Sequence, residues 1–175
     1  MTGKKIIIFG ALVLTLGFSF TNLTFAEDKI DSEKLENIEM DCQSIKQTLK
    51  RVQNIDRNTR ISIGRSYQTI LTDFITPLNV RLVKNNKSIS ELTSIQNRFV
   101  DARETFNRDY ISYSQEFENL LNIDCKNEPE KFYNQLEKTR EKRTSVADSA
   151  RKVRAIISEH LTEVEKFKDT FEEEK

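Results

Sequence analysis

The sequence predicts an all-α fold: an elongated antiparallel three-helix bundle, coiled-coil-like, with a short extra helix after Pro77. Three observations lead there. Beyond residue 26 the chain holds a single glycine, Gly64, and two prolines, Pro77 and Pro129, so little interrupts a helix. About a third of the residues are charged (32%), and the runs of alternating β-branched residues that mark strands are missing. In three long segments apolar residues recur at alternating spacings of four and three, the period of a coiled-coil seam.

The first helix is expected over residues 32–75, with Asp31 or Ser32 as its cap. Its seam runs Leu35, Ile38, Cys42, Ile45, Leu49 and Val52, passes the polar Asp56 and Thr59, and resumes at Ile63 and Ile70. Pro77 lacks a backbone donor and disfavours helical geometry in the residue before it. Thr76-Pro77 therefore reads as a break, with Thr76 recapping a short helix over 78–83. Lys84-Asn85-Asn86-Lys87 forms the first turn. Ser88-Ile89-Ser90-Glu91 has the form of a capping box opening a second helix over 88–124. That helix carries Leu92, Ile95, Phe99, Ala102, Phe106, Tyr110, Tyr113, Phe117 and Leu120. The steps 102-106-110 are two fours in succession, a stutter that unwinds a supercoil locally. Asn127-Glu128-Pro129-Glu130 opens the third helix, over 128–171, with Asn127 as cap and proline in the first turn. Its seam runs from Phe132 and Leu136 through Val146, Ala150, Val153 and Ile157 to Phe171, with Thr139, Arg143 and His160 as its polar members.

The first 26 residues have the layout of a signal peptide. Lys4 and Lys5 precede an uncharged apolar run over 6–20, and Thr24-Phe25-Ala26 offers small residues where a signal peptidase reads. A retained N-terminal membrane anchor is the alternative, but the run reaches about 20 residues only by including Thr15, Ser19, Thr21, Asn22 and Thr24. The domain assignment is thus a signal peptide over 1–26 and a single helical domain over 27–175, exported to the periplasm, cell surface or medium. Without Lys4 and Lys5 the 28 basic residues fall to 26 against 28 acidic ones, a net charge of −2. That speaks against nucleic-acid binding.

Cys42 and Cys125 are the only cysteines, and an even count in an oxidising compartment favours a disulfide. In an up-down-up bundle the start of the first helix meets the end of the second, so the topology brings these two together. Free buried thiols are the alternative. Neither cysteine has a C-x-x-C partner or a histidine cluster beside it, so no metal site and no cofactor is expected.

Pairing Cys42 with Cys125 sets a register that brings Asp56, Arg60, Asp109 and Arg143 to one level. This charged layer reads either as a small-ligand site or as an ionic layer that fixes register. His160, the only histidine, occupies a core position, either as a pH-sensitive group or as a structural one bonded to a neighbour. A basic cluster of Lys138, Arg140, Lys142, Arg143, Arg151, Lys152 and Arg154 could meet an anionic envelope polymer or a membrane surface. The segment around Pro77 mixes Leu78, Val80, Leu82 and Val83 with Arg81 and Lys84. It reads as a contact tip for a protein partner, or as a cap over the end of the core.

The strings Ile75-Thr76-Pro77-Leu78-Asn79-Val80-Arg81-Leu82-Val83 and Asp124-Cys125-Lys126-Asn127-Glu128-Pro129-Glu130-Lys131-Phe132-Tyr133 resemble those of uncharacterised exported helical proteins of ultrasmall, reduced-genome bacteria. That resemblance implies no activity, ligand or partner. No catalytic motif is present, and the sequence is read as that of a non-enzyme. The leading expectation is a cell-envelope or secreted structural and protein-interaction bundle. The alternative is a ligand-binding or sensory bundle that uses the charged layer. A cavity of at least about 300 Å³ at that layer favours the alternative, and a filled core with an exposed apolar patch favours the first. For export itself, mass spectrometry of the protein from its native cell should find a mature chain starting at Glu27. Intact Met1–Lys175 in the membrane fraction would mark the segment as an anchor.

Overall fold

The computed structural model describes residues 31–173, and all their regular elements are helical. The signal peptide expected over 1–26, with its expected cleavage after Ala26, lies outside the described residues. The elements are α1 (Ser32–Met40), α2 (Cys42–Thr69), a π-helical turn (Ile70–Ile75), α3 (Thr76–Lys84), α4 (Ser90–Asn122) and α5 (Pro129–Glu173). Asp31 caps α1 by accepting the Glu33 N–H at 3.2 Å. At Asp41 the path kinks without stopping. The Asp41 N–H still reaches the Asn37 carbonyl at 3.0 Å, and the Ile45 N–H reaches Asp41 at 2.9 Å.

Pro77 does not break the first rod as the sequence suggested. Thr76 keeps right-handed helical dihedrals (φ −63°, ψ −46°), and its N–H bonds the Leu71 carbonyl five residues back. A proline ring clashes with the carbonyl four residues before it, here Asp73. Widening the preceding turn to π geometry moves that carbonyl aside and lets the helix continue. Thr76 is therefore no cap. Its hydroxyl accepts from Gln96 Nε2 at 3.2 Å, and Gln96 Oε1 accepts from Asn79 Nδ2 at 2.7 Å. These bonds fasten α3 to α4.

Two start signals also act differently from the expectation. The Ser88–Glu91 capping box does not form. α4 begins at Ser90, with no side-chain cap, and its first carbonyl acceptor is Ile89. The preceding turn is fixed from the other side. Asn86 adopts φ 56°, and the N–H groups of Asn86 and Lys87 bond the carbonyls of Val83 and Leu82, a Schellman closure of α3. At the second turn Asp124, not Asn127, is the organiser. Its carboxylate accepts from the Lys126 N–H, the Asn127 N–H and Asn127 Nδ2, the last at 2.6 Å. The Asn127 side chain first, and the Lys126 N–H after it, hold this carboxyl below its ordinary pKa.

α4 is the central element. Of its expected seam, Leu92, Ile95, Phe99, Ala102, Phe106, Tyr113, Phe117 and Leu120 are buried, and only Tyr110 is half-exposed. α5 returns along it, as Arg98 meets Glu159 at 2.7 Å and Lys138 meets Glu116 at 2.9 Å. α2 lies along α4 as well, through Tyr113–Asp56 and Arg60–Asn107. On α5 the buried stripe holds Phe132, Thr139, Ala150, Val153 and His160 as read from the sequence, but Ile156 replaces Ile157 as the buried isoleucine. On α2 the seam is only half-buried, and Tyr67, which the seam reading passed over, is its one buried residue. Tyr67 stands edge-on to Phe99 and Phe106, with ring centroids at 6.2 and 5.7 Å.

Cys42 and Cys125 are bridged, with Cα atoms 5.5 Å apart. The bridge ties the start of α2 to the α4–α5 turn, beside a second cluster of Ile38, Leu120, Ile123 and Phe132. It closes a loop 83 residues apart in sequence. On the chain-entropy account, Cys125→Ser should cost about 3–5 kcal/mol, read as a lower denaturant midpoint under oxidising conditions. A midpoint equal to that of the parent would show that the bridge adds nothing.

Candidate functional site

Where α2 passes Asp56, the helices carry a cluster of polar and charged side chains. The Asp56 carboxylate receives a bidentate contact from Arg143, Nε at 2.8 Å and Nη2 at 3.0 Å, and the Tyr113 hydroxyl donates to it at 2.6 Å. Asp56 is mostly covered, with a side chain 17% exposed, while Arg143 is 58% exposed. Burial works against the charge of Asp56, but the hydrogen bonds from Arg143 and Tyr113 outweigh it and hold the carboxyl below its ordinary pKa. Burial, then the bond to Asp56, pushes the Tyr113 phenol well up. At neutral pH the cluster is therefore carboxylate, guanidinium and neutral phenol.

The expected charged layer is thus partly assembled. Asp56 and Arg143 meet. Arg60 reaches Asn107 Oδ1 at 3.3 Å, and its guanidinium lies 5.3 Å from the centre of the Tyr110 ring. Asp109 is not part of the group, because α4 contributes Tyr113 there. The register itself holds, since Cys42 stands opposite Cys125 and, eighteen residues along α2, Arg60 meets Asn107 at the same offset. The Asp56 carboxylate is taken instead by the long Tyr113 side chain, which stands one turn along α4 from Asp109. The sequence did hold a sign of this, since Tyr110 and Tyr113 follow the 102-106-110 stutter, where a seam must rotate.

Beside this cluster lies a cavity of about 630 Å³. It is a slot between α2 and α5 with α4 as its floor. Thr59, Arg60 and Ile63 form one wall, Val146, Ala147 and Ala150 the other, and Phe106 and Tyr110 the base. Two contacts cross from α2 to α5 near the slot. Arg143 reaches Asp56, and the Tyr67 hydroxyl donates to the Ala150 carbonyl at 3.2 Å. These contacts start eleven residues apart on α2, about 16 Å along that helix. Arg140, Arg151 and Arg154 stand along the α5 rim of the slot.

The remaining expectations distribute as follows. Most of the basic cluster has local carboxylate partners. Lys138 pairs with Glu116, Arg140 with Glu137, Arg143 with Asp56 and Arg151 with Asp148. His160 is buried, and its Nε2 is shielded without a hydrogen-bond partner, so the expected bond from that nitrogen to a neighbour does not form. Burial lowers its pKa and keeps it neutral. At the Pro77 tip Leu78 and Leu82 are half-buried, Val80 and Val83 are 47% and 55% exposed, and Arg81 and Lys84 are exposed. Among the described residues no group of three or more His, Cys, Asp and Glu side chains could hold a metal ion. No helix among them is long and apolar enough to cross a membrane.

These features define a disulfide-linked, all-helical protein with an arginine-rimmed slot. Comparison with protein-family models, with curated proteins and with solved structures finds no match.

The two partners of Asp56 differ in energetic weight. Arg143→Met exposes a carboxylate that keeps its Tyr113 bond, and the lost pair is largely solvated, so about 1 kcal/mol or less is expected. Asp56→Ala also strips the acceptor from the buried Tyr113 hydroxyl and should cost about 1–3 kcal/mol. Because the folded-state pKa of Asp56 is depressed, its contribution is complete above the ordinary carboxylate range and fades as pH falls below about 4. Urea melts of the two variants at pH 7 and pH 3 check both points. Equal losses at pH 7, or a gap between parent and Asp56→Ala that persists undiminished at pH 3, would contradict this ranking.

Proposed function

We propose that this protein is an exported, non-enzymatic binding protein. In this reading residues 27–175 form an elongated antiparallel three-helix bundle of coiled-coil type, and the slot beside Asp56 takes a small ligand. The observation that carries the proposal is the coincidence of place. A cavity of about 630 Å³ opens at the level of Asp56, Arg60 and Arg143, within the size range of ligand sites. Its lining joins an apolar floor to a few polar groups held by neighbours, the composition such sites have. Export is supported by the signal-like N-terminal sequence and by the Cys42–Cys125 bridge, which suits an oxidising compartment.

A second reading, protein contact through the Pro77 tip, is favoured by Val80 and Val83. They stand three residues apart on one face of α3, and both are exposed. Two variants separate the readings. Ala147 is an exposed wall residue of the slot, so Ala147→Trp should fill the slot while leaving the thermal transition nearly unchanged. On titration with a small-molecule fragment set, methyl NMR should show shifts at Ile63, Val146, Ala147 and Ala150 that disappear in that variant. The tip reading instead expects a partner crosslinked in the native cell, lost on changing Val80 and Val83 to Asp and kept in Ala147→Trp. Fragments that leave the slot methyls unmoved would remove the ligand reading.

A further inference from the structure

We infer that the slot selects a small organic anion: a phosphate or carboxylate group bound at Arg60, joined to an apolar body that lies on Ile63, Phe106, Val146 and Ala150. The inference rests on the slot being a binding site and adds the chemistry of what it binds.

Charge comes first. Five arginines line the slot, Arg60, Arg140, Arg143, Arg151 and Arg154, against one carboxylate, Asp56. Arg143 is engaged by the mostly covered Asp56 carboxylate in a bidentate contact. Arg140 and Arg151 pair with Glu137 and Asp148 three residues away, with every partner more than 40% exposed. Such solvated pairs hold their arginines weakly and release them to a better acceptor. Among the described residues Arg154 and Arg60 have no carboxylate partner.

Arg60 is the decisive residue. A guanidinium carries five N–H donors. Its hydrogen bond runs from Nη2 to the Asn107 amide oxygen at 3.3 Å, and its plane lies over the Tyr110 ring. Its Nε is shielded from solvent and has no acceptor. A shielded, unsatisfied donor on a permanent cation is costly. A planar or tetrahedral oxyanion in the slot would accept charge-assisted bonds from the part of the Arg60 guanidinium that lines it and stabilise a cation that the protein leaves under-satisfied. A neutral ligand leaves the donor as it is, and a cation adds repulsion.

Shape favours a compact ligand. A polyanion laid along the helices would meet Asp56–Arg143 and Tyr67–Ala150, which cross from α2 to α5 in its path. The stretch of α2 between them, about 16 Å, suits a compact molecule. The apolar side chains on both walls and the floor leave room for a hydrocarbon or aromatic portion beside the acid.

The test uses a matched pair of fluorescent dyes, anilinonaphthalene sulfonate and its neutral counterpart N-phenylnaphthylamine, titrated into the folded, oxidised protein. The sulfonate should bind at least about tenfold more tightly, the worth of one charge-assisted contact, and should weaken with added salt. Arg60→Gln should remove most of that preference in a protein that still unfolds cooperatively, with a slightly lowered thermal transition from the lost Asn107 and Tyr110 contacts. Arg154→Gln, at the exposed rim, should reduce it and serves if Arg60→Gln does not fold. Octyl phosphate and octanoate should each displace the sulfonate, and the more effective competitor identifies the acid group. Equal affinity for both dyes, or a preference untouched by the Arg60 and Arg154 changes, overturns the anion inference. If both dyes still compete and Ala147→Trp still expels them, the slot stands and only its selectivity was misread. If neither dye binds, or Ala147→Trp leaves binding intact, the underlying site reading fails as well.

Discussion

The rest of the structure depends on the unbroken apolar seam of α4. Eight of its residues, from Leu92 to Leu120, are buried, which requires cover along its whole length from more than one side. α5 supplies one side over most of that length, and α1, α2 and α3 share contacts with α4 and α5. Burial of rings such as Phe99, Phe106 and Phe117 is worth about 1.5–3 kcal/mol each, far more than the exposed ion pairs that decorate the helices. Packing on α4 therefore dictates where the other helices run, and the charges adjust to it.

The slot is a consequence of that hierarchy. α2 and α5 are both drawn to α4, and in the middle of the molecule they meet each other mainly through side chains. Between the Asp56–Arg143 pair and the Tyr67–Ala150 bond the two helices stay apart, and the gap is floored by Phe106 and Tyr110. A larger residue at Ala147 or Ala150 would narrow it. The half-burial of the α2 seam follows from the same geometry, since Ile63 has α4 beneath it and open space toward α5.

The ends of the molecule are held by different means. At one pole the disulfide binds α2 to the α4–α5 turn, where Asp124 organises the backbone. At the other pole a π turn carries the first rod past Pro77, and the Thr76–Gln96–Asn79 bonds fasten it to α4. Each device removes freedom that helices joined only by short turns would otherwise keep. Each also limits drift of the register by which Asp56 finds Tyr113 and Arg143.

The sequence by itself determined the helical class, the positions of the long helices and the α4 seam, because the spacing of apolar residues is local and α4 is enclosed enough to make its whole stripe visible. It also determined the disulfide, since two cysteines on meeting ends leave one partner each. Capping at Ser88 and Asn127 was misread for a local reason. Asn86 and Asp124 satisfy the same turns from the preceding side, and a sequence motif does not say which competitor closes first. The continuity through Pro77 was hidden as well, because a π turn depends on whether packing onto α4 compensates for the wider ring. Asp109 gave way to Tyr113, one turn along α4, because the long Tyr113 side chain carries its hydroxyl to Asp56, a reach that counting residues between helices does not include. The slot, finally, belongs to tertiary structure alone. It is a distance between α2 and α5, set by how both lie on α4, and no spacing within either helix contains it.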